Sequence, residues 1–255
     1  TSLISVVATS SVASIAYLKS RMTNVRLAMI LEGSTTVGAV VGAVMAAVVA
    51  DSVDKKSGRP KKFVIGKQRP SDRSGWKIPY LNRGLSPLQA EDPEVARMIR
   101  RTVRQKKTLT ATFTDDAIRH ADLIIVDLQC DYLKESLGDL STGSLEMRDL
   151  EDSFHIIGRY MRPRALCLIE TTVPPGFTER VAYPILQEAF ARRGLKRPPL
   201  LAHSYERVMP GRNYVASIRD FWRVCAGVDA ASQRRVEKFL REVINTRQYP
   251  LTVLD

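Results

Sequence analysis

Residues 163 to 176 read Pro163-Arg164-Ala165-Leu166-Cys167-Leu168-Ile169-Glu170-Thr171-Thr172-Val173-Pro174-Pro175-Gly176. The apolar run from Ala165 to Ile169 has the texture of a strand buried on both faces. Proline then removes a ladder donor and glycine supplies the φ of a tight turn, so the strand ends there. Glu170, Thr171 and Thr172 fall at its carboxyl end, the edge where open α/β sheets bind ligands.

Working outward, Phe177 to Arg193 predicts a helix with Thr178 and Glu179 near its start and Gly194 just past its end. Leu200 to Ala202 begins another strand, followed by His203-Ser204-Tyr205-Glu206-Arg207-Val208-Met209-Pro210-Gly211-Arg212. Trp222 to Ala226 reads as a further strand, Ala230 to Val243 as an amphipathic helix, and Thr252 to Leu254 closes the chain. Upstream, Phe63 to Gly66, Leu109 to Phe113 and Ala121 to Leu128 read as strands. Asp92 to Lys107 has helical periodicity and a strong start, an aspartate cap followed by Pro93 and Glu94. Thr114 to His120 and Leu145 to Tyr160 read as helices and Gly75 to Pro87 as loop. Strand alternating with helix predicts an α/β fold with a doubly wound, largely parallel, Rossmann-like sheet.

That topology gathers strand-end polar residues on one edge: Gln68 and Arg69, Gln129 to Asp131, Glu170 to Thr172, and Glu206 with Arg212. A threonine hydroxyl at Thr172 both donates and accepts. A carboxylate at Glu206 suits proton transfer, and an arginine fork suits a diphosphate. The bland alternatives stand beside these: a strand-end hydroxyl bonded to backbone, a surface ion pair, a plain turn. His203 is a weaker candidate base.

Of 39 basic and 27 acidic residues, residues 1 to 54 hold three of each, so the net charge of +12 lies entirely beyond them. An excess of that kind favours anionic partners. The basic residues are scattered at helical spacing, as in Arg97, Arg100, Arg101 and Arg104, and no nucleic-acid-binding pattern accompanies them, which argues against nucleic acid. Cys130, Cys167 and Cys225 stand far apart in or beside apolar runs. Neither a disulfide framework nor a metal-ligand set has that spacing, so no metal is expected and a reducing compartment is.

The first 54 residues differ in texture. Residues 3 to 18 and 27 to 50 are apolar and rich in small side chains, and the eighteen residues from Gly33 to Ala50 carry no charge. That length meets the lower bound for a membrane span, and Gly38 and Gly42 form a small-xxx-small pair. Residues 1 to 54 are therefore expected to be a hydrophobic helical segment of two membrane helices, with 55 to 62 a basic junction and 63 to 255 the α/β part. A competing reading makes Arg26 to Leu31 a first strand, Gly33 and Gly38 a phosphate loop and Ala39 to Ala50 the helix behind it, although the middle glycine of the dinucleotide fingerprint is missing.

Four ordered segments carry a resemblance. They are Lys77-Ile78 with Leu81-Asn82-Arg83-Gly84-Leu85-Ser86-Pro87, then Ala121 to Val126, then Glu170 to Thr178, and then Glu206-Arg207-Val208-Met209-Pro210-Gly211-Arg212. Residues 63 to 255 thereby resemble the NAD-binding half of nucleotide-sugar dehydrogenases, the UDP-glucose/GDP-mannose dehydrogenase family, beginning at its second strand. Ser2 to Ala43 resembles two helices of a sulfite-exporter-like (TauE/SafE) permease.

The first resemblance implies oxidation of the primary alcohol of a UDP- or GDP-sugar to a uronic acid, with NAD as cofactor and a homo-oligomer as the assembly. It implies Thr172 and Glu206 as catalytic residues, with Gln68, Arg69, Lys77, Gln129, Cys130 and Thr172 at the cofactor. Arg207, Arg212 and Asn213 would meet the substrate. Departures accompany it. Gln68 stands where many members carry an acid, and Gln129-Cys130-Asp131 replaces Pro-Thr-Pro. The fragment stops before the family's central helix and its nucleophilic cysteine, so it is expected to be inactive alone. Residues 55 to 255 are expected in the cytoplasm, anchored to a membrane if residues 1 to 50 act as an anchor. The alternatives are a permease fragment with a soluble tail and a non-catalytic nucleotide-binding module.

Overall fold

A computed structural model describes residues 48, 51, 63–68, 75–87, 90–128, 131–134, 143–205 and 211–254; for 131–134 and 143–146 it describes the backbone. The stretch resembling a permease, Ser2 to Ala43, lies outside the described residues. Among the described residues no helix is long and apolar enough to cross a membrane.

The described strands fall into three sheets. One pairs β1 (Val64–Lys67) with β2 (Leu109–Thr112). Another orders β3 (Leu123–Val126), β6 (Leu166–Ile169), β7 (Leu200–His203), β8 (Val224–Gly227) and β9 (Thr252–Val253), with β4 (Asp131–Lys134) and β5 (Gly143–Glu146) as a separate antiparallel hairpin. β3, β6 and β7 run parallel, while β8 runs antiparallel to β7. The α/β fold with a predominantly parallel sheet is as expected.

β6 lies between β3 and β7, and each of its residues is apolar and buried. The side-chain period of two sends Leu166 and Leu168 into one core and Cys167 and Ile169 into the other. The first core is completed by α1 (Lys77–Asn82), α2 (Pro93–Arg100), α5 (Tyr214–Arg219) and α6 (Ala230–Val243). The second is completed by α3 (Arg148–Tyr160) and by α4 (Tyr183–Arg192), which a π-helical turn at Thr178–Ala182 precedes. Covered on both faces, the sheet leaves its strand ends as the place for polar chemistry.

Three local readings differ from expectation. Residues 77 to 82 form a helix where a loop is predicted, since Pro79 lies in the first turn, where its missing N–H costs nothing, and Ile78 and Leu81 are buried. Gly143–Glu146 is a strand rather than the start of a helix. Tyr214–Arg219 forms a short helix because Tyr214, Val215 and Ile218 reach the first core.

Val48 is 5% exposed and belongs to that first core, beside Ile78, Leu81 and Val95. The Asp51 carboxylate accepts from Arg101 Nε at 2.8 Å and from Lys106 Nζ at 2.7 Å. Two described positions of the hydrophobic segment thus pack onto the α/β part.

Candidate functional site

The site is the carboxyl edge of β6 and β7 and the loops that leave it. After Ile169 the chain runs through Glu170 to Val173 and turns at Pro174–Phe177, where the Phe177 amide donates to the Pro174 carbonyl at 3.0 Å. Gly176 has φ 82°, the value required at the third position of a type II turn after a proline. The Arg180 amide then donates to the Gly176 carbonyl at 2.8 Å and starts the next helix. Thr172 is left exposed between strand end and helix start.

Glu170, read as one more strand-end polar group, is instead 1% exposed. Its partner is Arg223, also 1% exposed, with Nη1 3.5 Å from Glu170 Oε1. The same Nη1 donates to the Tyr205 carbonyl at 3.0 Å. Two further contacts join the strand ends: the Ser204 amide donates to the Ile169 carbonyl at 2.9 Å, and His203 Nε2 lies 3.3 Å from the Thr171 carbonyl. Burial pushes the His203 imidazole below its ordinary pKa, against a smaller opposite pull from Thr171. The ring is therefore held neutral, which suits a link between strands better than a proton carrier.

Arg212 and Asn213 are exposed and line a cleft of about 410 Å³ with Gly211, Ala216, Phe221 and Tyr249. Trp222 stacks edge-on against Tyr249, ring centroids 5.1 Å apart, and remains 54% exposed beside it. Gln68 follows β1 and its amide donates to the Thr112 carbonyl at 3.1 Å; its side chain is half-buried. Lys77 opens α1, half-buried, and burial pushes its ammonium pKa down. The structure therefore sets Thr172 three residues past β6, Arg212 and Asn213 in a cleft ahead of β8, Gln68 just past β1 and Lys77 at the start of α1. Arg69, Gln129, Cys130, Glu206 and Arg207 lie outside the described residues.

Cys167 and Cys225 are buried, and burial raises both thiols, so neither is a nucleophile. Among the described residues no group of three or more His, Cys, Asp or Glu is placed to hold a metal ion. Sequence reasoning missed Arg223 and the burial of Glu170. The available signal was an arginine directly before the apolar run Val224 to Ala226, where a charge is buried only with a partner.

No protein-family model matches the chain. The UDP-N-acetyl-D-mannosamine dehydrogenase of Pyrococcus horikoshii is 26% identical over 170 residues, which is 67% of this chain and 37% of that protein. The crystal structure of an NDP-N-acetyl-D-galactosaminuronic acid dehydrogenase from Methanosarcina mazei Go1 superposes with a TM-score of 0.71 at 31% identity, over 84% of this chain and 42% of that one. A GDP-mannose dehydrogenase from Pseudomonas aeruginosa shares the fold, with a TM-score of 0.63 at 19% identity over 84% of this chain. The chain spans less than half the length of each of these relatives. Over the part of their length that it spans, the chain is similar to nucleotide-sugar dehydrogenases.

Proposed function

We propose that this chain is the cofactor-binding part of an NAD-dependent dehydrogenase that oxidises the primary alcohol of a UDP- or GDP-sugar to a uronic acid. The observation that carries this is the exposed Thr172 at the carboxyl end of β6, held there by the Pro174–Phe177 turn and preceded by a buried ion pair. NAD supplies the hydride acceptor. Gln68 offers donors and an acceptor to ribose hydroxyls, and Lys77 offers a desolvated cation; Arg69, Gln129 and Cys130 complete the cofactor set. This donor set fits a dinucleotide. Thr172 orients the water and nicotinamide side. Glu206 moves a proton, and Arg207, Arg212 and Asn213 hold the diphosphate and sugar. The second oxidation needs a cysteine nucleophile, which neither Cys167 nor Cys225 supplies, so turnover requires further protein. The setting is cytoplasmic and the assembly a homo-oligomer.

The packing of Val48 and Asp51 supports a cofactor domain that begins ahead of Phe63. This favours counting part of the first 54 residues with the cofactor domain over two membrane helices. Replacing Asp51 by Ala then lowers the melting temperature of the α/β part; an unchanged melt and partition into detergent favour the membrane reading.

Two tryptophans test the binding itself. Trp76, 45% exposed, precedes Lys77, and Trp222 lies beside the Arg212 cleft. NAD should quench Trp76 in a Trp222→Phe variant, and UDP-N-acetylmannosamine should perturb Trp222 in a Trp76→Phe variant. Saturable responses support the function, whereas silence from both ligands overturns it.

A further inference from the structure

A fully buried ion pair is an expensive way to fill a core. Desolvation costs several kcal/mol per ion, and apolar residues of similar volume commonly serve stability as well or better. Glu170 and Arg223 are each 1% exposed, and their contact is 3.5 Å, so the attraction is not that of a close bidentate pair. Arg223 Nε and Nη2 are also buried without a hydrogen-bond partner. Stability alone gives no reason for such a residue.

The topology gives one. β8 is antiparallel to β7, with Ala202 opposite Gly227 and His203 opposite Ala226. The residue that enters β8 therefore falls at the carboxyl edge of β6 and β7, the edge a parallel strand would reach only with its last residue. Arg223 is that residue. Its Nη1 reaches Glu170, two positions before Thr172, and the carbonyl of Tyr205, the residue before Glu206. One guanidinium thus ties together the two strand ends that lead into the candidate catalytic residues.

We propose that Arg223 is a positioning residue that sets the β6 and β7 strand ends relative to each other through Glu170 and the Tyr205 carbonyl. For what those ends carry, this rests on the function proposed above; the tie itself does not.

The test is site-resolved amide exchange on the 255-residue chain, wild type against Arg223→Met and the double variant Glu170→Gln with Arg223→Met. The Glu170 amide donates to Val126 and the Ser204 amide to Ile169, so both report strand-end order. Arg223→Met should speed exchange at these two amides by about ten-fold or more relative to amides of α3 and α4. The double variant removes the Glu170 charge together with that of Arg223 and should recover the melting temperature, yet keep fast exchange at Glu170 and Ser204, since Tyr205 still lacks its donor. NAD should bind the double variant about ten-fold more weakly than wild type, the loss expected for a misplaced strand end. Exchange that rises equally at every amide, or strand ends of the double variant as slow as in wild type, overturns the proposal. If Arg223→Met does not fold, the double variant alone decides. If wild type binds neither NAD nor a UDP-sugar, the functional reading fails while the exchange data still judge the tie.

Discussion

Oδ2 of Asp92 accepts a hydrogen bond from the buried Val215 amide at 2.9 Å, joining residues 123 positions apart. Its Oδ1 meanwhile accepts from the Glu94 amide at 2.8 Å and caps α2. One carboxylate therefore starts a helix and holds α5, which follows Arg212 and Asn213. Asp92→Ala removes the cap and orphans a buried amide, a combined loss of roughly 2–4 kcal/mol. Asp92→Asn keeps one acceptor and should lose about half of that. Urea unfolding should show lower midpoints for both, with the slope unchanged.

Asn82 acts as a one-residue strand on the outer edge of β2. Its Nδ2 donates to the Ala111 carbonyl at 2.9 Å, and its Oδ1 accepts from the Ala111 amide at 2.7 Å. Alanine at this position should cost about 1–3 kcal/mol, because both Ala111 groups lose their partner. Asn82→Asp should be no better, since an acceptor then faces a carbonyl. Chemical denaturation of the three proteins checks the order.

Stability should depend on pH through His203. The folded ring has a pKa lowered from 6.5 by burial, so the unfolded chain binds the proton more readily. The stabilising difference is present above pH 6.5 and is lost as pH falls from there through the folded value. Melting temperatures measured from pH 5 to 8 should rise with pH across that window. The rise should be smaller in His203→Gln.

Gly227 ends β8 against the start of α6. A Cβ there would lie 2.3 Å from the Gln233 backbone nitrogen and 2.8 Å from its Cα, atoms that move only with the helix. Gly227→Ala should destabilise by roughly 2–3 kcal/mol, about 5–10 °C in a domain of this size. Gly194 has open space around its Cβ position but φ 67°. Gly194→Ala should therefore cost only about 1 kcal/mol, the strain of the left-handed conformation. Calorimetry separates the steric effect from the conformational one.

Much of the fold was legible because its signals are local. The run from Ala165 to Ile169, the Asp92-Pro93-Glu94 start and the Gly194 stop each depend on a few neighbouring residues, and each produced the predicted element. The short helix at residues 77 to 82 did not show itself. Proline and flanking glycines speak for a loop, and only the burial of Ile78 and Leu81 against distant strands makes a helix favourable there. The same holds for Tyr214–Arg219.

The sequence by itself determined an alternating α/β chain, the buried strand from Ala165 to Ile169 and the turn that ends it, because periodicity and turn chemistry are properties of adjacent residues. The tertiary structure decided that β8 turns antiparallel, that Glu170 is buried rather than presented, and that Arg223 meets it across the sheet. Those outcomes depend on which strands lie side by side. A charge in the sequence reads as exposed until a partner more than fifty residues away removes it from water, and that pairing exists only in three dimensions.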